Sequence, residues 1–263
     1  STYKNDKPEE LKSAIESMLS QTVLPDQFVL VCDGPVGEGL EAVITGYEKA
    51  ENGCFTVVRL EKNSGLGNAL NEGLKHCRNE LVARMDADDI SVNNRCELQL
   101  KAYEAQPEIA LLSGTVQEFC DDINVSTGSR KVPESYEEIL SYSKKRTPFN
   151  HPCMMFKKSA VVETGGYSEE YHLFEDYHLW VRMLMKGYKA ANLRDVLLYM
   201  RTPADMYKRR GGKKYADDML RFHKWLKSTG YTNQMTYLTG AVPHAVVCVL
   251  PNGLRKLVYK ILH

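Results

Sequence analysis

Arg84-Met85-Asp86-Ala87-Asp88-Asp89 decides the reading of this chain. The run before it, Glu80 to Met85, is short and mostly apolar, and Arg78-Asn79 bounds it upstream. That pattern predicts a strand buried in a parallel sheet. Three carboxylates at its C-terminal end would then stand on the sheet rim, where open α/β folds bind ligands. Crowded carboxylates repel one another, and a divalent cation between them relieves the repulsion. Hard oxygen ligands favour Mg²⁺ or Mn²⁺, usually shared with nucleotide phosphates. The competing explanation is a solvated acidic turn that caps the next helix.

Working outward, Phe28-Val29-Leu30-Val31-Cys32 is a second apolar run, and it ends in the turn Asp33-Gly34-Pro35. Two strands therefore deliver acids to one edge. Asp6 and Glu9 form an apparent capping box, followed by Leu11, Ala14, Ile15, Met18 and Leu19 at helical spacing. Helical signals return at Leu40–Tyr47 and Leu66–Cys77, with a strand at Cys54–Leu60 between them. Strands alternating with helices imply βαβ units, hence a mostly parallel sheet with helices on both faces. A helix around 91–106 and a strand around 109–118 follow. Residues 121–135 are polar and turn-rich, and a helix near 136–145 leads to Asn150-His151-Pro152. Met154-Met155-Phe156 reads as a short strand, and Phe174-Glu-Asp-Tyr-His-Leu-Trp180 opens a helix. Apolar runs at Tyr188–Leu193 and Val196–Met200 precede a helical tail from about 211. A helix at Asp6 in such a fold expects a preceding strand, of which Ser1-Thr2-Tyr3 would be the end.

The composition narrows the partners. Lys plus Arg and Asp plus Glu each number 34, so the chain lacks the basic footprint of a nucleic-acid binder. Its seven cysteines are widely spaced, with no Cys-x-x-Cys pair, which argues against zinc and for reduced core thiols in a cytoplasmic protein. The apolar run Ala245 to Leu250 is too short to span a bilayer. Beyond it, Leu254, Leu257, Val258, Ile261 and Leu262 recur at helical spacing among Arg255, Lys256 and Lys260. Such a helix suits the cytoplasmic face of a membrane as a peripheral contact, or packs back onto the main body.

Taken together, the motifs resemble the family 2 glycosyltransferases from residue 1 to about 205, and are similar to bacterial enzymes of polysaccharide assembly. The likeness rests on Ser1-Thr-Tyr-Lys-Asn5, Ala14-Ile-Glu-Ser-Met-Leu-Ser-Gln-Thr22, Cys32-Asp-Gly-Pro35 and Asn63-Ser-Gly-Leu-Gly-Asn-Ala-Leu-Asn71. Arg84–Asp89, Asn150-His-Pro152 and Glu175-Asp176 complete it. Each motif is weak alone; their order is specific. The resemblance implies a GT-A-type fold and transfer of a hexose or N-acetylhexosamine from a UDP-sugar, with inversion. The acceptor would be a hydroxyl of a glycan or lipid-linked molecule. Residues 1–118 would form the nucleotide-sugar half, 119–206 the acceptor half of the same domain, and 207–263 a C-terminal helical extension.

The resemblance also assigns roles. Asp33 would read the uracil, with Thr2 and Tyr3 beside the base. Asn63, Arg84 and Asp86 would face the nucleotide sugar, and Asp88 would hold Mn²⁺ or Mg²⁺. Asp176 would be the general base, with Glu175 and His151 on the acceptor side. Arg209 and Arg210, in a Gly-flanked loop, would close over the diphosphate. Cys32-Asp33 departs from the two adjacent acids common in the family.

Plain structural explanations compete at several of these positions. Acids in a first helical turn satisfy the dipole, which alone accounts for Asp176. A lone His151 is more often structural, Arg209-Arg210 also suit a solvated turn, and Asn63 with Gly65 and Gly67 suits ordinary turn chemistry. Among functions, an Asp-x-Asp phosphatase is the enzymatic rival, although its motif normally lies near the N-terminus. Gly65-Leu-Gly67 lacks the third glycine of a dinucleotide fingerprint. Thr2 to Lys7 is not the Gly-rich loop of a nucleotidyltransferase. A non-catalytic sugar-nucleotide-binding module need not keep Asp86, Asp88 and Asp176.

Overall fold

A computed structural model describes residues 1–50, 53–171, 173–202 and 212–250. Strands β1 (Phe28–Cys32) and β2 (Phe55–Arg59) pair in parallel, with Phe28 opposite Phe55 and Cys32 opposite Arg59. Helices α1 (Pro8–Leu19) and α2 (Glu38–Ala50) lay Leu11, Ile15, Leu40 and Ile44 against Leu30, Cys32 and Phe55. Thr2 joins the free edge of β1. Its N–H donates to the Val31 carbonyl at 2.8 Å, and its carbonyl accepts from Asp33 N at 2.8 Å.

Helix α3 (Leu66–His76) precedes β3 (Leu81–Ala83), β4 (Ile90–Ser91), α4 (Arg95–Ala105), β5 (Ile109–Phe119) and β6 (Ser126–Arg130). Then come α5 (Tyr136–Tyr142), β7 (Met155–Lys157), α6 (Lys158–Glu163), α7 (Glu175–Met185) and β8 (Lys189–Arg201). The second sheet runs β3-β7-β5-β8-β4, with β6 on β5. Strands β5 and β8 are parallel, whereas β3–β7, β5–β7, β5–β6 and β4–β8 are antiparallel. The α/β class therefore stands, but the expected mostly parallel pairing gives way to a mixed sheet. Parallel neighbours need a long crossover, while β6 follows β5 after a few residues and can only return antiparallel.

Three local expectations are corrected. Lys7, not Asp6, is the N-cap of α1, and no side chain caps it. Asp6 instead accepts from Thr2 Oγ1 at 2.9 Å and from Tyr3 N at 3.0 Å, folding the first residues into a turn. The strand before Asp86 is half-buried and antiparallel to β7. Within 121–135, Ser126-Thr-Gly-Ser-Arg130 is a strand whose polar side chains show no alternation to detect.

The central core gathers Trp180, Phe149, Phe156, Leu111 and Tyr167 between sheet and helices. A second core joins α7 to the C-terminal helices: Tyr171, Phe174, Tyr177 and Val181 meet Met219, Phe222 and Leu226 of Lys213–Ser228. Ala245 and Cys248 of the helix Val242–Val249 close it. Arg209, Arg210 and the amphipathic stretch 254–262 lie outside the described residues. No helix among the described residues is long and apolar enough to cross a membrane.

Two histidines in this second core set a pH dependence. His178, its ring 4.3 Å from that of Trp225, and His223 are both buried, and burial lowers each pKa from 6.5 to about 4. The unfolded chain binds these protons first as pH falls, so stability is full above about 6.5 and declines toward about 4. Chemical denaturation between pH 7 and 4.5 will show this loss, and His178→Phe will flatten it.

Candidate functional site

The site begins where β1 ends. Gly34 adopts φ +86°, and a Cβ there would lie 2.5 Å from Asn63 N. Glycine thus lets the 62–64 loop pass close to the strand end. Asp33 secures that loop: Oδ1 accepts from Ser64 N at 2.7 Å and Ser64 Oγ at 3.1 Å, and Oδ2 from Gly65 N at 3.0 Å. Asn63 Nδ2 donates back to the Asp33 carbonyl at 3.2 Å. Asp33 and Asn63 are therefore first the anchors of the α3 entry. About one of the four carboxylate lone-pair positions of Asp33 is left for a ligand. Thr2 is buried beside them and Tyr3 is exposed at the rim.

Beyond β3, Arg84 is buried and its Nη2 donates to Asp86 Oδ1, while Nε and Nη1 have no hydrogen-bond partner. One carboxylate oxygen from each of Asp86, Asp88 and Asp89 lies within 4.8 Å of the others. Burial and then the Asp86 charge raise the Asp88 pKa to about 6. Asp89 is pushed well up by burial and by the same neighbours; its Oδ2 has no partner, and Oδ1 accepts from Arg201 N at 2.8 Å. Arg201 Nε reaches the Asp88 carbonyl at 3.1 Å, Glu10 at 3.4 Å, and its guanidinium lies 4.6 Å over the Phe119 ring. It pins the acidic loop to β8.

Beneath the loop lies Arg95, fully buried and without a carboxylate. Its Nη2 donates to the Arg84 carbonyl at 2.7 Å and the Met154 carbonyl at 3.1 Å, and Nε to Gln99 Oε1 at 3.0 Å. Arg95 thus ties the end of β3 to the turn that bears His151. Asn150 fixes the other side of that turn, donating to the carbonyls of Gly114 at 2.8 Å and Arg130 at 2.9 Å.

The facing wall comes from α7. Leu173, with φ +71°, bends the chain just before Glu175 and Asp176, a conformation costly for a branched side chain. Glu175 is buried, its Oε2 unpartnered, and burial raises its pKa against the backbone N–H groups of Glu175 and Leu173. Asp176 is half-buried in the first turn. Between the walls stands Tyr167, held by Asn71: Nδ2 donates to the Tyr167 carbonyl at 2.8 Å, and Tyr167 N to Oδ1 at 2.8 Å. The Tyr167 hydroxyl meets His151 Nε2 at 3.0 Å and senses Arg84, Asp176, Glu175 and Asp86. Burial and Arg84 keep His151 well below its ordinary pKa, so it is neutral at pH 7. Its ring packs 5.9 Å from Trp180.

The structure thus brings together Arg84, Asp86, Asp88, Glu175, Asp176 and His151, with Thr2, Tyr3, Asp33 and Asn63 along the adjoining strand edge. Sequence reasoning missed Tyr167, Arg95 and Arg201. Arg95 carried one signal, a cation in the first turn of a helix, where the dipole disfavours it. Tyr167 followed Gly165-Gly166, both with positive φ.

Residues 1–165 match the Glycosyl transferase family 2 domain. The amylovoran biosynthesis glycosyltransferase AmsE of Erwinia amylovora is 40% identical over 90% of this chain and 88% of its own. An Escherichia coli UDP-Gal:alpha-D-GlcNAc-diphosphoundecaprenol beta-1,3-galactosyltransferase is 38% identical over 98% and 92%. Among solved structures, the mannosyltransferase PcManGT of Pyrobaculum calidifontis, in complex with GDP-Man and Mn²⁺, superposes with TM-score 0.66 at 17% identity. That match covers 99% of this chain and 78% of the other. The chain belongs to glycosyltransferase family 2, and its fold is GT-A. It is a glycosyltransferase.

The donor set fits a divalent cation: three hard carboxylates crowd together, and Asp89 Oδ2 is a buried acceptor without a donor. Asp88→Ala will abolish Mn²⁺-dependent UDP binding in calorimetry while thermal unfolding stays near wild type. Equal UDP affinity with and without metal in the wild-type protein would refute the metal role. Arg95→Met, which strands the Arg84 and Met154 carbonyls, will cost roughly 2–4 kcal/mol in urea unfolding.

Proposed function

We propose that this enzyme transfers a sugar from a UDP donor to a hydroxyl of a lipid-linked glycan, with inversion at the anomeric carbon. The observation that carries the reading is the opposition of two acidic walls, Asp86-Asp88-Asp89 and Glu175-Asp176, across Arg84 and Tyr167. The UDP-Gal and diphosphoundecaprenol in the name of the E. coli relative support the donor and acceptor classes.

In this mechanism Tyr3 and Asp33 bracket the base, and Asp86 faces the ribose or sugar. Asp88, with Asp86 and Asp89 beside it, would hold Mn²⁺ or Mg²⁺, which when bound offsets charge on the departing diphosphate. The Asp176 carboxylate takes the proton of the acceptor hydroxyl. That oxygen then bonds the anomeric carbon from the face opposite the nucleotide as the carbon–oxygen bond to UDP breaks. Glu175, whose buried Oε2 has no hydrogen-bond partner, would stand on the acceptor side. Neutral His151 orients the Tyr167 hydroxyl between the two walls. Residues 1–118 supply the nucleotide side, 119–206 the acceptor side, and Arg209-Arg210 of the segment 207–263 would close over the diphosphate.

A calorimetric panel of nucleotide sugars with Mn²⁺ tests the donor, since a ligand that binds the native state alone raises apparent stability. UDP-sugars will stabilise the protein and GDP-sugars will not. Asp176→Asn will lower turnover by about 10²–10⁴-fold, the worth of general-base assistance, with UDP affinity unchanged. Near-normal turnover would return Asp176 to a helix-terminus role.

A further inference from the structure

Helix α7 is entered through a residue whose conformation and exposure both work against the fold. The Phe174 N–H donates to the Tyr171 carbonyl at 2.9 Å and closes a tight turn. Leu173 takes the third place in that turn with φ +71°, the one positive φ outside glycine among the described residues. Such a position ordinarily holds Gly or Asn, because a branched side chain crowds the backbone there. The Leu173 side chain recovers little of this cost. It is 50% exposed, whereas Tyr171 and Phe174 are 6% and 9% exposed. Their rings lie 5.7 Å and 5.4 Å from that of Phe222, so the core takes both neighbours and leaves Leu173 outside. Asparagine or glycine would serve the turn better than leucine does.

The place of this residue gives the cost a meaning. The Leu173 N–H holds the Glu175 carboxylate, and Glu175 Oε2 is buried without a partner. Asp176 follows in the first turn of α7. Residues kept in a costly conformation cluster where ligands bind, and a buried acceptor without a donor beside one points the same way. The pairing complements a carbohydrate. A sugar ring carries hydroxyls around its edge and patches of C–H on its faces. The carboxylates suit the hydroxyls, and an exposed leucine next to them suits the C–H surface. Small-molecule sites are built on that division, apolar walls with a few placed polar groups.

We infer that Leu173 is a specificity-determining residue for the acceptor, packing against the C–H face of the sugar ring that presents the attacking hydroxyl. This role rests on the proposed reading of Glu175 and Asp176 as the acceptor side. It makes the leucine a contact that binds without taking part in the bond change. Its loss therefore shows in the acceptor KM and not in turnover at saturation.

The test uses the full chain with UDP-galactose and a GlcNAc diphosphate carrying a hexyl chain, the sugars in the name of the E. coli relative without its long lipid. In Leu173→Asn the acceptor KM will rise about tenfold with kcat held, the scale of one lost apolar contact. Asparagine suits the left-handed turn, so the unfolding midpoint of this variant will rise by about 2–4 °C. Leu173→Met will keep the wild-type KM, because an aliphatic surface is retained. UDP affinity in calorimetry will be the same in all three proteins. A wild-type acceptor KM in Leu173→Asn overturns the assignment. So does a lower unfolding midpoint, which would show that the leucine serves the fold. A fall in kcat with KM unchanged overturns it as well, and would place Leu173 behind Asp176 instead. A KM rise seen only with an undecaprenyl acceptor overturns the ring contact in favour of the lipid. Absence of wild-type turnover on the hexyl acceptor would overturn the donor and acceptor classes proposed above, and this role with them, a failure read in the wild type and not in the variants.

Discussion

One buried guanidinium organises this site. Arg95 has no carboxylate partner and no access to water, yet its donors meet the carbonyls of Arg84 and Met154 and the side chain of Gln99. An unpaired charge so placed is expensive unless its donors are satisfied. The backbone carbonyls that satisfy it belong to the two segments that must stay in register, the acidic strand end and the turn of His151. Gln21 repeats the device from the other side. Its Nε2 donates to the Val92 carbonyl at 2.7 Å, and its Oε1 accepts from Cys96 N at 2.9 Å, fastening α1 to the start of α4. The acidic loop is thus clamped below and beside before any ligand arrives.

Clamping is needed because the loop is electrostatically unfavourable. Asp86, Asp88 and Asp89 lie together, and Asp6 and Glu10 add their charges to Asp88. Arg84 and Arg201 offset part of this through Asp86 and through Asp89, the Asp88 carbonyl and Glu10. The remainder shows in the raised pKa values of Asp88 and Asp89, which mark a place prepared for positive charge. A fold that spent fewer clamps here would relax the acids apart into solvent. The energy that keeps them together comes from the buried arginines and from the core beneath.

How much of this was legible in the sequence follows from which interactions are local. The apolar runs at 28–32 and 80–85 declared themselves, the second shortened to 81–83 in the fold, and so did the acids that follow them, because strand and rim are adjacent in sequence. The direction of β7 was not legible: a three-residue strand carries no orientation, and its antiparallel place between β3 and β5 comes from tertiary pairing. Nor was Asp33's engagement with Ser64 and Gly65, since the partners lie about thirty residues away and meet only through the close approach that Gly34 permits. Asp6 misled because Asp followed by Glu three residues on reads as a cap. Its real partners, Thr2 and Tyr3, precede the helix. Tyr167 stayed hidden for the opposite reason. A tyrosine after two glycines looks like a turn until Asn71 and His151 arrive from distant segments.

Helix α7 links these two kinds of information. Its first turn is polar, Glu175 and Asp176; its body is core, with Leu179, Trp180 and Met183 fully buried. Its outer side is held by Phe222 and Leu226 of the C-terminal helix. A helix gripped on both sides cannot slide, so any adjustment at the acids must come from the residues that lead into it. Leu173 is the one non-glycine residue with positive φ among the described residues, and it stands at that entry. The strain there is tolerable because Tyr171 and Phe174 are buried on either side, in the core shared with the C-terminal helices. The geometry of the Glu175–Asp176 turn is therefore set by aromatic packing on its far side, and the C-terminal helices support the candidate site from outside.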